Sequence, residues 1–415
     1  MTQHARRTTV LITAALLVAA TGCSTKAKDS NDTSTGAAAG TVKTGPGVSG
    51  TTITLGVLTD LTGVFAALGS DITNAQTLYW EQQNAKGGVC GKYQVKLNVK
   101  DTGYVPQQGV QLYSSIKNDV LAMAQTIGSP INTALEQSYD ADQIVNIPSA
   151  WARNLTVPPG NAVTGSTYDV EMVNGLSYAL TSGKIKEGAK IGHIYFEGEY
   201  GANGLAGSKY FASKHGMTIV EAKIKSTDTD MSSQITQFKA AGVNAIALTV
   251  APAATASAAG VAAAQGLNVP IIGSNPVFSP ALLAGPAAGA LKANMIVSSP
   301  VSTFDKNPEL LAAYKAKFPN ATPSLGVVFG TGASAVMKQV LDKACSDGDL
   351  TRAGVLKAKQ SLTNVDTGGL VVPLDFSKSG TSPSTKNFIL QPADVPGGAK
   401  ALTDAVEAPE VAGLS

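Results

Sequence analysis

Three short stretches carry side chains able to hold a small solute, each where an apolar run ends. In Gly128-Ser-Pro-Ile-Asn132-Thr133 a strand-like run gives way to a helical one. Asn132 or Thr133 can cap that helix, and the free N–H groups of its first turn form an anion site suited to a carboxylate. The alternative is a plain cap with no ligand. Ser149-Ala150-Trp151 puts one of only two Trp residues on a loop, where it offers a large apolar face and a single N–H donor. The alternative is a Trp packed against a neighbouring loop. In Glu197-Gly-Glu199-Tyr200-Gly201, Tyr200 can stack on a ligand or hydrogen-bond to it from the opposite side, or else it is a surface tyrosine.

Other chemistries are poorly served. His4 lies in the leader, so the rest of the chain holds only His193 and His215. That nearly excludes a multi-histidine metal site, and no metal or cofactor is expected. His193 falls inside an apolar strand and reads as structural; His215 closes a helix before Gly216, where a cation suits the helix dipole. No G-x-S-x-G elbow and no nucleophile–base or paired-carboxylate motif is present. Gly198-x-x-Gly201-x-x-Gly204 lacks the core of a phosphate loop. Gly330-Thr-Gly332-Ala-Ser-Ala335 has the glycine spacing of a dinucleotide fingerprint but sits outside a clear βαβ unit. Small residues entering a tightly packed helix explain it more simply.

The elements that must position these loops alternate regularly. Strands are expected at 52–58, 93–100, 120–127 and 144–148, with helices at 66–84, 106–118 and 133–143 between them. A second set follows: helices at 168–180, 204–214, 231–241 and 253–265, and strands at 190–196, 217–224, 245–250 and 270–273. A third section holds helices at 309–318 and 331–344 and strands at 370–376 and 387–390. Strands alternating with helices imply parallel sheets covered on both faces, and two successive sets imply two α/β domains. Ligands in such sheets bind beyond the carboxyl ends of the strands. The loops 59–66, 128–133, 149–154, 197–204, 251–254 and 274–278 therefore face a common cleft.

The chain's first residues read as an export signal. Arg6 and Arg7 precede an 11-residue apolar run at 10–20, too short to span a bilayer. Small residues then lead to Cys23, as in a bacterial lipobox, although Ala20 stands where Leu is more usual. Cys23 would carry the lipid after removal of residues 1–22; an ordinary secretory signal is the alternative. Residues 23–50, rich in Thr, Ser, Gly and Ala, read as a flexible tether. Without the leader's two Arg the balance is 29 basic against 29 acidic residues. No basic stripe is visible, which argues against nucleic acid. The weakly hydrophobic stretch 245–266 is broken by Pro252 and does not read as a membrane span. Cys90 and Cys345 are an even pair that permits a disulfide in an exported chain; two buried thiols are the alternative.

Thr54-Leu-Gly-Val-Leu-Thr-Asp-Leu-Thr-Gly63, Leu68-Gly69, Asn84-Ala-Lys-Gly-Gly88, Ile147-Pro-Ser-Ala150, Glu199-Tyr-Gly201, Pro270-Ile-Ile-Gly273 and the section 368–376 come in telling order and spacing. Together they resemble the leucine/isoleucine/valine-type solute-binding proteins of bacterial ABC importers, over residues 51–395. The resemblance implies a type I periplasmic-binding-protein fold: α/β, with two Rossmann-like lobes of parallel sheet joined by a three-strand hinge. Lobe one would be 51–165 and 298–384, lobe two 166–297 and 385–396, and 397–415 a C-terminal tail. It also implies ligand contacts at Leu68, Asn132, Thr133, Ser149, Ala150 and Trp151 in lobe one, and at Tyr200, Ala251 and Asn275 in lobe two.

Two departures bear on the ligand. Amino-acid binders of this family place an acid where Asn275 stands, and Asn cannot neutralise an ammonium group. Ala251 stands where they carry an aromatic, while Trp151 replaces a smaller residue. The expected ligand is therefore a small carboxylate or amide with an apolar or aromatic body rather than a branched-chain amino acid, unless Glu197, Glu199 or Asp169 restores the charge. The implied role is a monomeric, lipid-anchored solute receptor outside the cytoplasmic membrane, docking on ABC permease subunits. A ligand-sensing receptor coupled to a membrane signalling protein and an amidase-like enzyme are the alternatives.

Overall fold

A computed structural model describes residues 42–414 of the chain. The leader 1–22, Cys23 and the tether up to residue 41 lie outside the described residues. Two sheets organise the rest. In lobe one, Thr52–Thr59 pairs in parallel with Gln94–Asp101 on one side and Ala122–Ile127 on the other, and Asn146–Ser149 extends the sheet beyond Ala122–Ile127. In lobe two the strands Met295–Ser299, Ile271–Gly273, Ala245–Thr249, Lys190–Phe196 and Thr218–Ile224 run parallel in that order. Phe388–Pro392 and Ala399–Ala401 add antiparallel to the free side of Met295–Ser299. Ala122–Ile127 and Ala245–Thr249 are buried along their whole length, as central strands under helices are, and the polar Gln125 and Thr126 are hydrogen-bonded there.

The chain passes between the sheets three times, between Ser149 and Tyr168, between Ser299 and Phe304, and between Asp375 and Phe388. Short polar contacts tie the first and third crossings together. The Thr167 N–H donates to Ser382 Oγ at 2.9 Å, and Asn387 Nδ2 donates to Ser166 Oγ at 2.6 Å. Asn174 Nδ2 donates to Asn387 Oδ1 at 2.7 Å.

Several elements differ from the sequence expectation. The end of the expected tether is ordered: Lys43–Thr44 pairs with Asp349–Leu350, and Val48–Ser49 pairs with Thr52 and Ile53, because Val42 and Val48 find apolar neighbours in lobe one. The expected tail contributes the edge strand Ala399–Ala401 and the 3-10 turn Pro409–Gly413, whose Val411 is buried. His215 bridges to that turn: its ring nitrogens lie 3.0 Å from Glu187 Oε1 and 2.8 Å from Glu410 Oε1. Only Leu374–Asp375 of the 370–376 segment forms a strand, paired with Asn364–Val365. The helices Ala288–Asn294 and Arg352–Ser361 and the strand Met295–Ser299 were not anticipated. The 245–266 stretch is a five-residue strand and a 13-residue helix, and no described helix is long and apolar enough to cross a membrane.

Gly330 and Gly332 lie inside the helix Gly326–Ser346, not in a strand-to-helix turn. A Cβ on Gly330 would come within 2.6 Å of the Ile72 carbonyl, so this glycine lets the helix lie directly on Ala66–Ala85. Cys90 and Cys345 are joined by a disulfide that pins the loop after Ala66–Ala85 to the far end of Gly326–Ser346, across 255 residues of sequence. Closing so long a loop removes much freedom from the unfolded chain. The double replacement Cys90→Ala/Cys345→Ala is expected to lose about 2–5 kcal/mol of unfolding free energy in denaturant titrations.

Candidate functional site

The carboxyl ends of both sheets open onto one cleft with an empty volume of about 800 Å³, counting its mouth. Buried polar groups set its walls. The Asp60 carboxylate, at the end of the first strand, accepts N–H groups from Gly63 at 2.5 Å and Phe65 at 2.9 Å. That turns the loop so that Phe65 and Leu68 face the cleft. Asp101 does the same one strand over, accepting from the Leu61 and Gly103 N–H groups at 2.9 Å and from the Thr62 hydroxyl at 2.8 Å. The turn it holds carries Tyr104 at φ 63°, a left-handed conformation that a tyrosine rarely adopts. Gly128 makes room for the ring: a Cβ there would lie 2.5 Å from Tyr104 Cε2.

From this frame the aromatics interlock. Phe65 meets Tyr104 edge-on at 4.9 Å, Trp151 meets Phe329 at 4.9 Å and Tyr168 at 5.9 Å, and Tyr168 lies 4.5 Å from Tyr200. Phe65 of lobe one also reaches Phe196 and Tyr200 of lobe two, each at 6.5 Å, so the lobes touch across the cleft. Seven aromatic side chains line the cleft in a chain that is only 6% aromatic.

Five of the nine expected contacts line it: Leu68, Ser149, Trp151, Tyr200 and Asn275. Trp151 Nε1 donates to the Thr164 carbonyl at 3.0 Å, leaving its ring as the part offered to the cleft. The Tyr200 hydroxyl sits 2.9 Å from Ser274 Oγ and 3.2 Å from the Val250 carbonyl, in the first turn of Glu199–Lys214 rather than on a loop. Ser149 Oγ is buried without a partner.

The other four do not reach the cleft. The Asn132 amide donates inward to the carbonyls of Thr126 and Gly128, each at 2.8 Å, and accepts from Asn146. It braces the helix Ser129–Ala141 from behind. Thr133 accepts from Asn154 on the outer surface, while Ala150 and Ala251 are buried in the lobes. Sequence reasoning missed Phe65, Tyr104, Tyr168, Phe278, Leu325 and Phe329. Several of these aromatics sit beside strand ends or helix starts, a pattern that could have drawn attention to them.

None of the 21 lining residues is Asp, Glu, Lys, Arg or His. The acids proposed to replace the missing charge do not line the cleft. Asp169 is paired with Arg153 and bonded to Thr167, Glu197 is exposed and Glu199 is half-buried. Glu171 lies behind the wall, fully buried, with Oε2 accepting the Asn275 N–H at 2.7 Å and Oε1 unpartnered. Burial raises its carboxyl well above the usual range and outweighs that hydrogen bond, and the nearby Asp169 charge adds to the rise. Burial likewise raises the Tyr104, Tyr168 and Tyr200 hydroxyls, which therefore stay neutral O–H groups. His193 is buried in its strand with Nε2 3.0 Å from Thr249 Oγ1, and burial pushes its pKa down to about 3.

The Periplasmic binding protein family model matches residues 52–397. The chain belongs to this family. A fatty acid ABC transporter substrate-binding protein from Thermomonospora curvata is 41% identical to the chain, with a TM-score of 0.87 over 89% of this chain and 96% of that one. A branched chain amino acid ABC transporter from Thermus thermophilus with bound valine shares the fold at 18% identity and a TM-score of 0.76, covering 88% and 98% of the two chains. A Leu/Ile/Val-binding protein homolog 3 from Brucella melitensis is 29% identical over 47% of this chain and 53% of its own, so the chain spans about half the length of the curated relatives it matches.

The buried Glu171 carboxyl makes stability depend on pH. A carboxyl whose folded pKa is raised favours folding only below its unfolded pKa, and that contribution is lost as pH rises towards the folded value. Glu171→Gln keeps the shape and removes the charge. Its stability relative to the parent is expected to rise as the pH is taken from about 4 through neutrality. Thermal unfolding across that range reads the effect; parallel curves for the two proteins would show that Glu171 is not held neutral.

Proposed function

We propose that this protein is an extracytoplasmic solute receptor, anchored by lipid at Cys23, that captures a fatty-acid-like carboxylate between its lobes and hands it to an ABC import permease. The observation that carries this reading is an aromatic and aliphatic cleft with no charged side chain on its wall. An α-amino acid would bring an ammonium group into that cleft with no counter-charge, which costs several kcal/mol, on the order of a thousandfold in affinity. A monocarboxylate needs only neutral donors. The Ser149 hydroxyl, the Tyr104 and Tyr168 hydroxyls and the start of the helix Ser129–Ala141 supply them beside Gly128. Leu68, Ile72, Phe278, Val297, Leu325 and Leu390 suit an alkyl chain.

The fatty acid substrate-binding protein of T. curvata supports this class, being 41% identical over most of both chains. The valine-bound structure shares the frame at 18% identity, which says nothing of the ligand. The leader, the lipobox-like Cys23 and the stretch that follows support an anchored location, and the importer role of the relatives supports a permease partner.

Calorimetric titration of delipidated protein with palmitate, laurate, leucine and valine tests the reading. Palmitate or laurate is expected to bind with a dissociation constant of about 1 μM or tighter, which is roughly 8 kcal/mol, and the amino acids not at all. Leucine or valine binding in that range, with no response to the fatty acids, would overturn it. Trp151→Ala is expected to weaken fatty-acid binding by about 30-fold, the roughly 2 kcal/mol of a buried aromatic anchor. Unchanged affinity would remove Trp151 from the site.

A further inference from the structure

A second cavity lies on lobe one beside the crossings, between the segment that follows Asn146–Ser149 and the segment that follows Leu374–Asp375. Val157, Pro158, Val163, Phe376 and Pro383 line it, and Lys359, from the last turn of Arg352–Ser361, completes the wall. Lys359 is only 8% exposed. Its ammonium lies 5.5 Å from the centre of the Phe376 ring. Among the described residues Nζ makes no ion pair or hydrogen bond.

The side chain is covered along its length while Nζ faces the cavity, and no anion beside it offsets the cost of that partial desolvation. The cavity's other charged side chains do not relieve it. The Asp375 carboxylate accepts the Ser377 N–H at 2.8 Å and is held by that bond and by the nearby Lys378 charge. Lys378 is itself a cation. Burial is the sole influence on Lys359 and pulls its pKa down to about 8, so no neighbouring carboxylate restores it. Backbone and hydroxyl groups around the cavity are engaged with one another: Ser379 Oγ donates to the Val157 carbonyl at 3.1 Å, and the Gly380 N–H donates to the Thr156 carbonyl at 3.2 Å. These bonds clamp the two segments into a fixed wall around the unpaired cation.

We propose that this cavity is a second ligand site, separate from the cleft, that takes a small organic carboxylate whose anionic end pairs with Lys359 and whose short apolar body packs against Phe376 and the prolines. The wall is mixed, with Thr156, Asn161, Gln360 and Ser377 beside the apolar residues, so an amine there selects a small monoanion whose short body meets both kinds of neighbour. The ligand would touch the segments leading into the first and third crossings, whose hydroxyl and amide groups already meet at Ser382 and Thr167. The proposal does not depend on what the main cleft binds.

Nuclear magnetic resonance of protein carrying [¹³Cε]-lysine tests it, with Lys359 assigned by the loss of its signal in Lys359→Met. Propionate is the probe and propionamide the neutral control. The Lys359 signal is expected to move saturably with propionate only, and its pKa to rise from about 8 towards the ordinary lysine value. Trp151→Ala should leave that titration unchanged, which separates this site from the cleft. Three results would overturn the proposal: no saturable movement, equal movement with propionamide, or loss of the response in Trp151→Ala. Lys359→Met removes a buried charge and is expected to fold, so a direct propionate titration of that variant gives a second reading. At least about a tenfold loss of propionate affinity supports the site, and unchanged affinity overturns it.

Discussion

A charge buried without a partner is costly, and this molecule meets that constraint by keeping its carboxyl groups one layer behind the cleft wall. Asp60 holds the amides before Phe65, and Asp71 accepts the Ser324 N–H at 2.7 Å and the Tyr314 hydroxyl at 2.8 Å, fixing the approach to Leu325. Asp169 holds Arg153 beside Trp151, and Glu171 holds the Asn275 amide. Each of these acids sets the position of a lining residue and none reaches the cavity. The wall is thus rigid and uncharged at once, since the groups that orient it are engaged with the protein's own amides and hydroxyls.

That arrangement explains how one frame serves different solutes. The chain shares its two-lobed plan with a valine-bound structure at a sequence identity too low to carry ligand chemistry. Strand order, crossings and the helix entering at Gly128 are dictated by the packing of apolar strands under helices. The lining is decided by a few side chains at strand ends. Changing those side chains would change what the cleft can hold without touching the core beneath them.

The two lobes meet through small polar and aromatic contacts. Phe65 reaches Tyr200, the Arg153 N–H donates to Asn203 Oδ1 at 3.2 Å, and Ser324 bridges to Gly397. The last of these brings the turn after Phe388–Pro392, far along the chain, over the apolar end of the cleft. Each lobe keeps its own continuous sheet, while one buried apolar cluster runs through both, so these polar and aromatic contacts lie along an interface that is also packed.

Much of the fold was legible in the sequence because strand and helix differ in the period of their apolar residues. The runs at 52–58 and 245–250, the glycines that stop helices at Gly88 and Gly242, and the order of the two α/β sets needed only local information. The absence of an acid at Asn275 was also visible. Short or weakly patterned elements were not: Met295–Ser299 has the polar Ser298 and Ser299 at its end, and Ala399–Ala401 becomes a strand only because Phe388–Pro392 offers an edge. The site shows the same division. Loops at strand ends named Ser149, Trp151 and Tyr200, since chain direction alone places strand ends together, and the family resemblance added Asn275. Whether Asn132 faced the solute or the helix behind it, whether Cys90 met Cys345, and whether Tyr104, Phe329 and Phe278 joined one wall depended on residues distant in sequence. Side-chain direction and burial are set by what packs alongside, and only the tertiary structure decides that.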